Sequence, residues 1–132
     1  MDNFNRSAGI IVKCGDEVLL CKRSEDQTYG GVWSIPSGHL NEGEDAIDAV
    51  AREFEEETNL KVNKNLKLIS LIPMGKSLMY VYLMKVKEKI YPDLENAVDG
   101  IEHSECGWFT FDNIPESVNE KLKKVIEISY KD

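Results

Sequence analysis

Residues 38–60 read GHLNEGEDAIDAVAREFEEETNL, and between Glu42 and Glu57 they hold eight acids against one base, Arg52. That stretch carries −7 of the chain's net −8, which leaves −1 for the other 116 of its 132 residues. The acidity is local, so it speaks about a site rather than about general solubility. The spacing predicts a helix over 46–58. Asp45 followed by Asp48 resembles a capping box with Asp for Glu, and Asn59 suits the left-handed exit because its short side chain tolerates positive φ. With Ile47 as origin of a helical wheel, Val50, Ala51, Phe54 and Thr58 form an apolar face within roughly 60°. Glu53, Glu56 and Glu57 then fall at roughly 240°, 180° and 280°, one arc pointing away from that face.

Like charges at i, i+3 and i+4 repel by a few tenths of a kcal/mol per pair, and more where solvent is excluded. Arg52 reaches Glu56 one turn on but cannot neutralise three carboxylates, so a bound divalent cation is the economical account. Oxygen-only ligands favour Mg²⁺, with Mn²⁺ as substitute, over Zn²⁺.

Working outward, residues 9–14 and 17–23 are β-rich runs separated by Gly15-Asp16, a hairpin pattern with Ile10, Val12, Val18 and Leu20 as core candidates. Residues 24–31 are polar and Gly-containing, and 30–38 form a second loop-rich passage with one short extended piece. Two further strands are expected at 66–72 and 78–86, interrupted by Pro73-Met74-Gly75-Lys76. In the second, Tyr80, Tyr82 and Met84 share one face and Met79, Val81 and Leu83 the other, so it belongs in the middle of a sheet covered on both sides. A polar loop over 91–105, an aromatic strand over 106–111 and a final helix from about 115 to 129, carrying Val118, Leu122, Val125 and Ile126, complete the pattern. Strands interspersed with two amphipathic helices give one α/β domain over residues 1–132, an α/β/α sandwich with a mixed β-sheet.

The longest charge-free apolar stretches fall well short of the roughly 18 to 20 residues of a membrane helix, and the first residues lack the pattern of an export signal. Cys14, Cys21 and Cys106 show no CxxC or Cys/His spacing, which reads as reduced packing residues in a cytoplasmic protein. With no basic stripe, and an acidic segment that repels a duplex, the pattern disfavours nucleic-acid duplex and membrane partners.

Gly38, Glu44, Arg52, Glu53, Phe54, Glu56, Glu57, Asn59 and Leu60 together resemble the Nudix box, G-x5-E-x7-R-E-U-x-E-E-x-G-U, where U is bulky and apolar. Six of its seven polar or glycine positions match over 23 residues, and Asn59 replaces the last Gly. The run from Trp33 to His39 is similar to the family's approach to the box, with Ser37 where a second Gly is common, and Glu102, Glu105 and Trp108 resemble a late Glu-x-x-Glu-x-x-Trp segment.

The resemblance implies an α/β/α fold and hydrolysis of a nucleoside diphosphate linked to a group X. It implies Glu53, Glu56 and Glu57 as metal ligands with a backbone contact from Gly38, and Arg52 and Glu44 as orienting partners. The general base then comes from Glu53, Glu102, His103 or Glu105. Arg23, Tyr29, Trp33 and His39 are the candidate substrate contacts, with Lys22 and Trp108 beside them. A small member of this kind looks MutT-like, a monomer or homodimer converting a nucleoside triphosphate to monophosphate and pyrophosphate. The alternatives are a nucleotide sugar or dinucleotide as substrate, or a non-catalytic nucleotide sensor.

Overall fold

The computed structural model describes residues 5–25, 30–94 and 103–131. In chain order these form β1 (Asn5–Cys14), β2 (Glu17–Arg23), β3 (Trp33–Ser34), β4 (Ser37–His39), α1 (Ala46–Thr58), β5 (Lys67–Met74), β6 (Ser77–Lys85), β7 (His103–Thr110), a 3-10 turn (Phe111–Asn113) and α2 (Glu120–Ser129). The seven strands described make one mixed sheet in the order β3-β2-β1-β6-β5, with β4 paired to β1 and β7 to β2. Among the described residues only the β1–β6 pairing is parallel.

Alternation along the central strands sends side chains to two cores. Ala8, Ile10, Val12, Leu19, Tyr82 and Met84 meet Val50 and Phe54 of α1, while Ile11, Val18, Leu20, Val81 and Leu83 meet Leu122, Val125 and Ile126 of α2. The two-faced apolar pattern of β6 therefore places it inside the sheet, as its sequence predicts. Each Val, Leu, Ile, Phe or Met side chain among them contributes about 1.5–3 kcal/mol on burial, and the helix–sheet–helix layering follows from the need to cover both faces.

Several boundaries differ from those the sequence suggests. Pro73 and Met74 lie inside β5, which tolerates proline because it ends the strand path and needs fewer ladder donors. Gly75, at φ +62°, makes the turn. β4 is a strand where a loop was expected, since three residues are too few to show a period. β7 begins at His103, so His103 and Glu105 sit on a strand, and α2 begins only at Glu120, where the Asn119 side chain accepts hydrogen bonds from the Lys121 and Leu122 amides. Asp45 makes no side-chain cap, so the expected capping box is absent, whereas Asn59 does take the left-handed exit at φ 61°.

The cysteine reading is also corrected. Cys21 and Cys106 face each other across the β2–β7 ladder and form a disulfide, and Cys14 is free. The pairing depends on strand register between residues 85 apart, which no local spacing reveals. Bridging so long a loop restricts the unfolded chain, worth about 2–4 kcal/mol. Cys106→Ser should therefore lower the melting temperature, and dithiothreitol should bring the wild type down to a similar value. Melting curves insensitive to both would deny the bridge a stabilising role.

Candidate active site

β1 pairs with β4 over Ser7–Gly9 but with β2 only at Lys13–Cys14, so β2 and β4 diverge from a common strand. Arg23 at the end of β2 and Gly38 in β4 line a cavity of about 420 Å³ in that region, together with Ser37, His39, Asn41 and Glu53. Helix α1 lies along β1 and β4, which carries Glu53 to this wall. Gly38 faces it so closely that a methyl group on its Cα would overlap the Glu53 carboxyl. Its φ is not positive, so glycine is required here for close approach rather than for an unusual backbone conformation.

Arg52 organises the carboxylates. Its Nε and Nη2 donate to the two oxygens of Glu44 at 2.9 Å each, and its Nη1 donates to Glu53 Oε1 at 2.8 Å and Glu56 Oε1 at 2.9 Å. Nη2 also reaches the His39 carbonyl at 3.0 Å, which ties helix to β4. Glu44 in turn accepts the Asn41 amide at 2.9 Å, closing the turn before α1. A bidentate guanidinium–carboxylate pair favours both charged forms. The Arg52 guanidinium and then the Asn41 N–H hold the Glu44 carboxyl down at about 2, and the hydrogen bonds to Glu44 first and then to Glu53 raise the pKa of Arg52.

This has a pH consequence. A carboxyl depressed in the folded state stabilises fully above its ordinary value of 4.5 and loses that contribution as pH falls through about 2. Melting temperatures recorded from pH 6 to pH 2 should fall across that window, and Glu44→Gln should flatten part of the fall. An identical acid profile in the variant would contradict the linkage.

The helical wheel needs rotating. Ile47 is exposed, whereas Ala49, Val50, Phe54, Glu57 and Thr58 are buried, so Glu57 belongs to the inward face. Its Oε1 is buried and accepts no hydrogen bond. The three carboxylates thus do not share one outward arc. Among the described residues no three acidic, cysteine or histidine side chains converge on one point, and Nη1 of Arg52 donates to both Glu53 and Glu56.

The other candidates are distributed as follows. His39 and Arg23 line the cavity with Glu53. His103 is buried on β7 opposite Arg23, whereas Glu105 pairs with Lys22 at 3.9 Å and is mostly exposed. Trp33 packs edge-on against Phe109, ring centroids 5.1 Å apart, on the α2 side of the sheet. Trp108 packs on the α1 side and donates to the Ile90 carbonyl at 3.0 Å. Tyr29 and Glu102 lie outside the described residues. Sequence reasoning missed Asn41, which both shapes the turn and lines the cavity; its signal was Asn three residues before Glu44 with a glycine between, a turn pattern.

A model of the NUDIX domain family matches residues 3–127. The chain belongs to the Nudix hydrolase family. The NAD-capped RNA hydrolase NudC of Erwinia tasmaniensis is 30% identical over 108 residues, 80% of this Nudix chain but 38% of that protein, so the chain spans well under half of that relative's length. A MutT Nudix hydrolase from Burkholderia pseudomallei has the same fold, with a TM-score of 0.77, 24% identity and coverage of 93% of this chain and 95% of that one. So does a bifunctional NMN adenylyltransferase/ADP ribose pyrophosphatase from Francisella tularensis, solved with AMP and a Mn ion, at a TM-score of 0.78 and 19% identity over 99% of this chain and 42% of that one. No helix among the described residues of the Nudix chain is long and apolar enough to cross a membrane.

Proposed function

We propose that this chain hydrolyses the diphosphate linkage of a nucleoside diphosphate derivative with the help of a divalent cation, Mg²⁺ or Mn²⁺. The observation that carries the reading is the Glu53 carboxyl seated against Gly38 in a cavity shared with Arg23, inside a chain of the Nudix family.

The residues fit a hard divalent cation. Glu53 and Glu56, both within reach of Arg52 Nη1, would supply oxygen donors, Glu57 stands on the inward side of the same helix, and Gly38 leaves its backbone bare beside Glu53. When bound there, the cation would neutralise the diphosphate and increase the acidity of the attacking water. Arg52 holds Glu53 and Glu56 in place and prevents their mutual repulsion from opening the site. Arg23 adds positive charge to the same cavity, suited to phosphate oxygens. Glu53 is the carboxylate the described cavity offers for accepting the proton of water. Oxygen of water bonds to one phosphorus, the bridging oxygen departs with the other, and the nucleoside monophosphate and a phosphorylated X result.

Incubating the protein with nucleoside triphosphates, nucleotide sugars and dinucleotides, with Mg²⁺ or with chelator, tests the reading by product mass. Mg²⁺-dependent release of a monophosphate is expected. Silence across the panel with nucleotide binding intact would favour the sensor reading instead. Saturating Mg²⁺ should also raise the melting temperature, because a ligand of the folded state stabilises it by mass action and relieves the clustered charge. An unshifted melt would count against a cation at this cluster.

A further inference from the structure

The β2–β7 ladder runs from Glu17 opposite Thr110 to Arg23 opposite His103, and its hold weakens toward the Arg23 end. The register slips between Lys22 and Arg23, where Ser104 is passed over and a bulge interrupts the hydrogen bonding. Among the described residues Arg23–His103 is the last pair. The Lys22–Glu105 ion pair beside it, 3.9 Å long with Glu105 mostly exposed, contributes little. At the other end Trp108 and Phe109 pack against the two cores, which anchors β7 there.

The Cys21–Cys106 disulfide stands where the ladder needs a tie. A single pair, Lys22–Glu105, separates it from the slip, and Arg23, which lines the Glu53 cavity, follows Cys21 by two residues. His103 is 5% exposed, so it is packed among its neighbours rather than turned to solvent. Were the end of β7 to fray, His103 would leave its place opposite Arg23. A long side chain without a fixed neighbour must be ordered anew for each phosphate it meets, and that entropy is subtracted from binding.

Resting on the diphosphate-hydrolase reading, we propose that the Cys21–Cys106 bridge is a positioning element of the active site: it fastens the cavity end of β7, keeps His103 opposite Arg23, and so makes substrate binding depend on the redox state of two cysteines. The reductant is a dithiol. Cys21 is 1% exposed whereas Cys106 is only half-buried, so the incoming thiolate attacks Cys106 Sγ and Cys21 leaves as a thiolate that takes up a proton. The second thiol of the reductant then attacks the mixed disulfide, closing its own S–S bond and releasing Cys106. Two electrons and two protons pass to the protein, and the reverse exchange restores the bridge.

The test follows the substrate preferred in the panel above, in Mg²⁺, with the enzyme equilibrated in oxidised or reduced dithiothreitol below the melting temperature of the reduced protein. Alkylation and mass spectrometry count the thiols. Reduction should raise KM about fivefold and leave kcat within about twofold, the pattern of lost uniform binding, and reoxidation should restore KM. Cys21→Ser and Cys106→Ser should show the reduced KM in both buffers, and Cys14→Ser should respond like the wild type. Arg23→Ala should raise KM and lose the response, because the bridge acts through Arg23. Amide exchange in the wild type should quicken over residues 103–106 on reduction and not over 107–110, a contrast that a general loss of stability would not give. An unchanged KM on reduction, or an Arg23→Ala protein that still responds, would overturn the proposal while leaving hydrolysis in place. If no nucleotide is hydrolysed, calorimetric titration with ADP-ribose and ATP in the two buffers takes the place of KM. Affinity that falls on reduction would keep the role of the bridge while the hydrolase reading falls; equal affinity, or no binding, would end it.

Discussion

Glu53→Gln is expected to lower turnover of the preferred nucleotide substrate by at least about tenfold, a loss of about 1.4 kcal/mol of transition-state stabilisation, while the protein stays folded. The substitution keeps shape and removes charge. Glu53 lies in the cavity with Arg23 and His39, so the amide forfeits both a proton acceptor and an anionic oxygen for a cation. Its Oε1 accepts from Arg52 Nη1, and an amide oxygen can still accept that bond. Glu56→Gln should behave similarly through loss of a charged donor at the same guanidinium. Stability should change little, because both side chains stand at the rim of the helix–sheet contact rather than in either core. Turnover in both variants equal to wild type would contradict the site.

The second large effect is expected from Gly38→Ala. A single methyl group is trivial for most strand positions, and Gly38 has no left-handed backbone to lose. Here, however, the new Cβ would occupy the space of the Glu53 carboxyl, the movable end of a flexible side chain. The fold can accommodate it by turning Glu53 aside, so the melting temperature should shift by only a few degrees. Catalysis cannot, because the carboxyl leaves its position, and misplacement by about 1 Å can cost on the order of 100-fold. Loss of activity with the melting curve preserved is the expected signature. An active Gly38→Ala protein would show that the Gly38–Glu53 approach is incidental.

What the sequence made legible was whatever depends on local spacing. Helix α1, its left-handed exit at Asn59 and the two-faced strand β6 follow from periodicity and turn chemistry, and the Nudix box is readable because Gly38, Glu44, Arg52, Glu53, Glu56 and Glu57 stand at fixed intervals. The hydrogen-bond web around Arg52 was half visible: the Arg52–Glu56 pair is a helical i, i+4 contact, whereas the Arg52–Glu44 pair spans the turn into the helix. Glu57 was misdirected because Ile47, the origin of the core face on the wheel, is exposed to solvent. The Cys21–Cys106 bridge, the strand position of His103 and the division of β1 between β2 and β4 all depend on register between distant segments. No reading of neighbours along the chain contains that information.

The central claim is that water attacks phosphorus in a cation-assisted hydrolysis at the Glu53 cavity. The most direct test is a single-turnover reaction of the preferred substrate in ¹⁸O-labelled water with Mg²⁺, the products weighed by mass spectrometry. The account predicts one ¹⁸O on a phosphoryl group of a single product, none on the sugar carbons, and no reaction in chelator or in Glu53→Gln. Label on carbon, or the same yield of products in chelator, would contradict it.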